Sequence, residues 1–98
     1  MGRTKPILWD AGNRAHFREH GRCTEKQVED VLTHRCFRSR FREQPQHGQK
    51  RIRVEGQACD RVFLTVVAQT NDVLRPITCF HPTDDRLRRY LAWRQSRP

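Results

Sequence analysis

The feature that most constrains this chain is the concentration of its apolar residues in one short segment. Residues 61–69 are apolar on both faces, with Val62-Phe63-Leu64 and Val66-Val67-Ala68 separated only by Thr65. A strand buried on both faces is nearly continuously apolar, so this segment predicts the central strand of a sheet. A chain of 98 residues, 32% of them charged, has enough apolar residues for one small core. We expect a single domain over residues 1–98.

The flanking patterns predict an α+β domain in the order β-α-α-β-β-β-β-α, an antiparallel sheet with two helices before it and one after it. A capping box at Thr24, followed by apolar residues at helical spacing, predicts the second helix. Pro76 implies that the last strand lies at an edge or carries a bulge. The predicted strands are 6–9, 36–42, 51–55, 61–69 and 73–80, and the predicted helices are 11–20 (Asp10 as N-cap, Gly21 as C′ residue), 25–34 and one that begins at 82–85.

The positive charge is concentrated in two blocks of the chain. Twenty Lys and Arg residues against 11 Asp and Glu residues give a net charge of +9. Residues 35–53 carry seven basic and one acidic side chain, and residues 86–98 carry five basic and no acidic ones. This distribution indicates a polyanionic partner such as a nucleic acid. The predicted nucleic-acid-binding residues are arginines of these blocks: Arg38, Arg40, Arg51, Arg53, Arg88 and Arg89.

The four cysteines lie far apart in the sequence, at positions 23, 36, 59 and 79, and form no Cys-x-x-Cys pair. Their spacing to the histidines does not match that of structural zinc sites, so we predict no metal and no cofactor. The chain has no secretory signal pattern, and no stretch approaches the ~18 apolar residues of a membrane span. We therefore expect a cytoplasmic protein with free, partly buried thiols and no membrane partner.

Several motifs along the chain point to a family. The chain opens with Trp9-Asp10-x-x-Asn13-x-x-His16-x-x-x-His20-Gly21, and Val28-Glu29-Asp30-Val31-Leu32 follows in the second helix. The shorter motifs are Val54-x-Gly56, Arg61 before an apolar strand, Arg75-Pro76-Ile77-Thr78 and Arg88-Arg89-Tyr90. Together, over about residues 7–93, these motifs resemble the BrnT family of bacterial toxins, small ribonuclease toxins with a RelE-like architecture.

The resemblance implies a fold, an activity and partners. It implies a RelE-like toxin of a type II toxin–antitoxin system, a metal-independent endoribonuclease that acts on mRNA. It also implies a cognate, BrnA-like antitoxin that neutralises the toxin, with DNA contacted only through that antitoxin. The family commonly ends its last strand with a small residue followed by arginine, whereas this chain has Cys79-Phe80 there.

A ribonuclease of this kind needs a base, an acid and cations directed at the phosphate. The predicted catalytic residues are Arg61 and Arg75, which with Arg53 would clamp the phosphate, and His20, His81 and Tyr90, which with Glu55 are candidates for proton transfer. Four of these residues have a structural alternative: the flank of a turn for Arg61, a helix end for His20, an exposed loop for His81 and a packed core position for Tyr90.

Two other functions are compatible with the same residues. The first is a non-catalytic nucleic-acid-binding module on the same scaffold, which Phe80 favours. The second is an interaction subunit bound to an acidic protein. Alanine at Arg61 or Arg75 separates an enzyme from a binding module, because an enzyme loses cleavage far more than binding.

Overall fold

The computed structural model describes residues 5–20 and 22–96, which form three helices and a four-stranded antiparallel sheet. The strands lie side by side in chain order, so each pairs with its neighbour in the sequence. The elements are α1 Ala11–His20, α2 Glu25–Leu32, β1 Arg40–Glu43, β2 Arg51–Gln57, β3 Phe63–Thr70, β4 Leu74–Phe80 and α3 Asp84–Gln95. This arrangement confirms the predicted α+β class, with two helices before the sheet and one after it.

The hydrophobic core lies between one face of the sheet and the helices α1 and α2. Val28, Val31 and Leu32 of α2 are fully buried there, together with Val54 of β2 and Val66 of β3. Successive side chains of a strand point to opposite faces of the sheet. The residues next to Val54 and Val66 in the sequence therefore point to the other face, on which α3 lies.

A hydrogen-bonded pair of residues fixes the start of α1. The Asn13 amide donates to Asp10 Oδ1 (2.9 Å), and the Asp10 amide donates to Asn13 Oδ1 (2.7 Å). The side-chain amide of Asn13, which is 3% exposed, also donates to the carbonyls of Leu8 (3.0 Å) and Pro76 (3.1 Å). Because Pro76 belongs to β4, the buried Asn13 attaches α1 to the edge of the sheet.

Several predicted boundaries change in the structure, and the strand predicted over 51–55 continues through Gly56 to Gln57. The predicted strand 6–9 is only an isolated parallel bridge of Ile7 to Leu74, because Asp10 caps α1 immediately afterwards. The helix predicted over 25–34 ends at Leu32, since the left-handed φ of 52° at His34 turns the chain away. The strand predicted over 36–42 begins at Arg40, the first β1 residue that pairs with β2. Gly21 lies outside the described residues.

The strands β3 and β4 show the effects of two backbone constraints. Arg61 has a φ of 77° in the turn after β2, so β3 begins at Phe63 rather than at residue 61. Pro76 lies on the edge strand β4, opposite Ala68, and the pairing shifts register between Val67 and Ala68. Proline has no amide hydrogen to donate to the ladder, and the structure confirms the edge position and the irregularity expected from it.

The prediction of free thiols is wrong. Cys23 is bonded to Cys79 and Cys36 to Cys59, with Cα–Cα distances of 6.4 and 5.3 Å. The first disulfide joins the connection between α1 and α2 to β4, and the second joins the loop before β1 to the turn after β2. The bonded cysteines are 56 and 23 residues apart in the sequence. Neither pairing can be read from the sequence, because only the folded sheet brings the partners together.

Gly56 allows close packing of the sheet on α2, which yields a first prediction. A Cβ at this position would lie 2.5 Å from Ser39 Oγ and 3.0 Å from Val31 Cγ1. We expect Gly56→Ala to lower the free energy of unfolding by ~1–3 kcal/mol, the usual cost of overpacking. Urea denaturation measures this cost. In a Ser39→Ala background the same substitution should cost less, and an undiminished cost would contradict the assigned clash.

Candidate nucleic-acid interface

A cavity of about 240 Å³ lies between the sheet and the start of α3, on the face opposite the core. Its lining residues are Arg40, Arg42, Arg53, Glu55, Thr83, Asp85, Arg86 and Arg89, a set that we call the arginine cleft. Five arginines face two carboxylates, so the cleft carries an excess of positive charge. Guanidinium groups match the geometry of phosphate oxygens, and a concave surface of this charge suits a phosphate group.

The sheet register explains why these side chains come together. Arg40 is paired with Glu55, and Arg42 with Arg53. Residues directly opposite each other on neighbouring strands have Cβ atoms about 5 Å apart, so the four side chains form a compact patch. The cleft therefore follows from the pairing of β1 with β2.

Helix α3 closes the other side of the cleft. Thr83 is its N-cap, and the Thr83 hydroxyl accepts a hydrogen bond from the Arg86 amide. Arg86 and Arg89 are three residues apart and therefore lie on one helix face. Asp85 forms an ion pair with Arg89 at 3.1 Å, so one of the two carboxylates of the cleft is paired with one of its five arginines.

Arg53 is the most unusual side chain of the cleft. Its Nε is buried and has no hydrogen-bond partner among the described residues. Burial, and after it the nearby charge of Arg86, lower the pKa of the Arg53 guanidinium. Buried polar groups normally have a hydrogen-bond partner, so the Arg53 Nε is an exception among the buried donors of the protein.

Glu55 supplies the buried carboxylate of the cleft. It is 5% exposed and lies between Arg40 of β1 and Thr65 of β3 in the sheet register. The Thr65 hydroxyl is buried and likewise has no hydrogen-bond partner among the described residues. A proton acceptor beside several cations is the combination required for general-base catalysis next to a phosphate.

The proposed clamp of three arginines does not form. Arg61 is exposed in the turn after β2, where its carbonyl accepts a hydrogen bond from the Gln57 side chain (3.0 Å). Arg75 lies on β4 opposite Gln69 of β3. The turn that holds Arg61 leads into the other part of β3, at Phe63, six residues from Gln69. At about 3.3 Å per residue the two ends are ~20 Å apart, too far for one phosphate. Of the three arginines only Arg53 lines the arginine cleft.

The other predicted catalytic residues lie in different places. His20 is at the end of α1, with its ring 4.4 Å from that of His16. Tyr90 is 2% exposed, and its hydroxyl donates to the Arg38 carbonyl. His81 is exposed and comes two residues before Thr83. None of these three residues lines the cleft, but His81 lies in the loop that leads from β4 to Thr83, which does.

The predicted nucleic-acid-binding arginines divide into two groups. Those that line the arginine cleft are Arg40, Arg53 and Arg89. Those that lie elsewhere are Arg38, whose guanidinium lies 5.2 Å from the Trp93 ring centroid, Arg51, which is hydrogen-bonded to Gln46 and Gln49, and Arg88, which is exposed on α3. Arg40 is also 5.9 Å from the Trp93 centroid, so the basic surface continues from the cleft toward that ring.

The sequence analysis did not select Arg86 for the site and did not place Glu55 opposite Arg40. The spacing of Arg86 to Arg89 could have indicated the first, since residues three apart share a helix face. The second needed the pairing of β1 with β2, because Arg40 and Glu55 are opposite each other only in that register.

The structure also answers two more general questions. Within the part of the chain that it describes, no helix is both long and apolar enough to cross a membrane. Over the same residues, no group of three or more His, Cys, Asp and Glu side chains is arranged to hold a metal ion.

Comparisons with protein-family models, with curated proteins and with solved structures found no match for this chain. The BrnT resemblance and the RelE-like architecture that it implies therefore stay predictions.

Arg75 is held by an ion pair, which yields a prediction on pH. Its Nε donates to Asp10 Oδ2 at 2.8 Å, and this hydrogen bond lowers the pKa of Asp10 to about 2 while it raises that of Arg75. At pH values above 3.8, the ordinary pKa of an aspartate, the ionised Asp10 carboxylate therefore contributes its full stabilisation of the fold. This contribution is lost as the pH falls toward 2. Urea midpoints between pH 2 and 5 should fall less steeply in Asp10→Asn, which retains a capping side chain. Equal slopes would contradict the assignment.

Proposed function

We propose that the chain is the toxin of a type II toxin–antitoxin system, a metal-independent endoribonuclease that cleaves mRNA in the arginine cleft. The observation that carries this proposal is the buried carboxylate of Glu55 among five arginines. The sequence motifs that resemble the BrnT family support the same activity. Cations for a phosphate and a carboxylate that accepts a proton are the groups that metal-independent RNA cleavage requires.

Glu55 acts as the general base in this mechanism. Its carboxylate takes the proton of the ribose 2′-hydroxyl, and the 2′-oxygen attacks the adjacent phosphorus. The phosphorane carries more negative charge than the starting diester, so the cations of Arg53 and Arg86 stabilise it more strongly than the substrate. The bond to the 5′-oxygen then breaks.

The leaving 5′-oxygen needs a proton. His81 is the candidate donor, because it lies in the short loop between β4 and Thr83 of the cleft and histidine is the side chain that most often transfers protons in catalysis. His20 lies at the end of α1 and Tyr90 is buried against the loop before β1, and neither lines the cleft.

The partners follow from the charge of the same surface. An acidic segment of a cognate, BrnA-like antitoxin would occupy the arginine cleft and exclude RNA from it, since complementary charge selects such a partner. DNA would be reached only through the antitoxin. We place the activity in the cytoplasm, where its mRNA substrate is found, although the free thiols expected in that compartment are paired in this structure.

A second candidate function is a binding module without catalysis. Phe80 favours it, because this residue stands at the end of β4 where the family that the chain resembles commonly has an arginine. A phenylalanine cannot neutralise the phosphorane, so the cleft would bind RNA and leave it intact. The cleavage test below separates the two candidates.

The test of catalysis is a substitution of the proposed base. Glu55→Gln preserves the shape of the side chain but removes the proton acceptor. We expect cleavage of a long unstructured RNA, in low salt with excess EDTA, to slow by ~10²–10⁴-fold. Gel shifts should show RNA binding at least as tight as that of the wild type.

Glu43→Gln is the matched control, since Glu43 is an exposed residue of β1 that does not line the cleft. It should cleave RNA as fast as the wild type. RNA that is bound but not cleaved by the wild-type protein would establish the binding module instead.

Phosphate binding is tested separately by salt dependence. Arg53→Gln should weaken RNA binding and reduce the slope of log affinity against log salt by about 0.7, the value for one phosphate of a single strand. Arg18 is an exposed residue of α1 that does not line the cleft. Arg18→Gln removes the same charge and should leave the slope unchanged. An equal effect of both substitutions would show that binding depends on net charge rather than on the cleft.

A further inference from the structure

The two disulfides differ in their exposure. In one disulfide Cys36 is exposed and Cys59 half-buried, whereas in the other Cys23 is half-buried and Cys79, 7% exposed, belongs to the hydrophobic core. Reduction by thiol–disulfide exchange requires a thiolate to reach one sulfur of the bond directly. A reductant therefore reaches the bond of Cys36 first.

The exposed disulfide holds the loop between α2 and β1, residues 33–39, which we call the Cys36 loop. The first four residues of this loop are exposed. Near its end, the Ser39 hydroxyl donates to the Val31 carbonyl (2.5 Å), and the Tyr90 hydroxyl donates to the Arg38 carbonyl. The Arg35 amide also donates to the Asp30 carbonyl (3.0 Å), and the Ser39 amide donates to His34 Nδ1 (3.1 Å). The disulfide adds a covalent attachment at the middle of the loop.

The turn on the other side of this disulfide is fixed independently. The Cys59 amide donates to the buried carboxylate of Asp30 at 3.0 Å, and the Gln27 side chain donates to Asp60 at 2.8 Å. Both bonds attach the turn to α2. Opening the disulfide therefore removes the covalent attachment of the Cys36 loop and leaves the turn in place.

The Cys36 loop leads directly into the arginine cleft. The guanidinium groups of Arg38 in the loop and of Arg40 in β1 both lie on the Trp93 ring, at 5.2 and 5.9 Å from its centroid. Arg40 also lines the cleft. Phe37 of the loop packs under the Arg94 guanidinium, 5.2 Å from its ring centroid. The position of the loop thus determines how this end of the cleft is presented to an anion.

We propose that the Cys36–Cys59 disulfide is a redox latch: its reduction releases the Cys36 loop and weakens anion binding in the arginine cleft. The reductant is a dithiol. Its thiolate attacks Cys36 Sγ, the S–S bond breaks, and Cys59 leaves as a thiolate that takes up a proton. The second thiol of the reductant then attacks the mixed disulfide and releases the Cys36 thiol. Two electrons pass to the protein, and the dithiol becomes a disulfide.

The inference rests on the proposed function only for the choice of RNA as the anion. Oxidised full-length protein is titrated with dithiothreitol, and the free thiols are alkylated and located by mass spectrometry. Limited trypsin digestion then measures cleavage after Arg35 and Arg38, both in the Cys36 loop. Affinity is measured with a 2′-O-methyl RNA oligonucleotide, which has no free 2′-hydroxyl to react.

We expect Cys36 and Cys59 to be alkylated before the other pair. Tryptic cleavage in the loop should accelerate over the same range of reductant. RNA affinity should fall about tenfold, as for the loss of one charge-assisted hydrogen bond, and should return on reoxidation. Cys36→Ser with Cys59→Ser should show the reduced behaviour without reductant and no further change over this range.

Three results would overturn the redox latch. They are alkylation of Cys23 and Cys79 first, unchanged tryptic cleavage once Cys36 and Cys59 are alkylated, and faster cleavage with unchanged RNA affinity. An oxidised protein that binds no RNA would instead overturn the proposed function, and the order of alkylation and the proteolysis would still decide whether the loop is released.

Discussion

The alternation of strand β2 is the constraint on which the rest of the structure depends. Val54 and Gly56 face α2 and are buried. Arg53 and Glu55, which alternate with them along the strand, face the arginine cleft. One strand of seven residues therefore contributes to the core and to the candidate site. A shift of one residue in its pairing would turn the arginine and the glutamate toward the hydrophobic core and the valine toward the cleft. Core packing on one face thus fixes the geometry of the charged groups on the other.

The opening motif of the sequence is explained by packing rather than by chemistry. Asp10 and Asn13 cap α1 and attach it to β4, and Asp10 also holds Arg75. Trp9 donates from its indole nitrogen to Glu29 of α2 at 2.8 Å and packs edge-on against Phe17. The residues that carry most of the BrnT resemblance therefore assemble the helical layer of the fold, on the face opposite the arginine cleft.

The sequence allowed prediction of the features that depend on local patterns. Helix α1, the capping box at Thr24 and the edge position of Pro76 each follow from a few neighbouring residues, and the structure confirms them. The disulfides and the pairing of Arg40 with Glu55 join distant segments, and no local pattern specifies them. Arg61 was predicted to lie on a strand because apolar residues follow it, but its left-handed backbone places it in the turn.

The central claim is that RNA binds in the arginine cleft, and the arginine side chains themselves report on it. Nε–Hε signals in ¹H–¹⁵N spectra can be followed as a 2′-O-methyl RNA trinucleotide is added. We predict large shifts for Arg53 and Arg86, whose side chains line the cleft, and small ones for Arg61 and Arg75. Shifts centred on Arg61 or Arg75, with Arg53 unchanged, would contradict the assignment of the site.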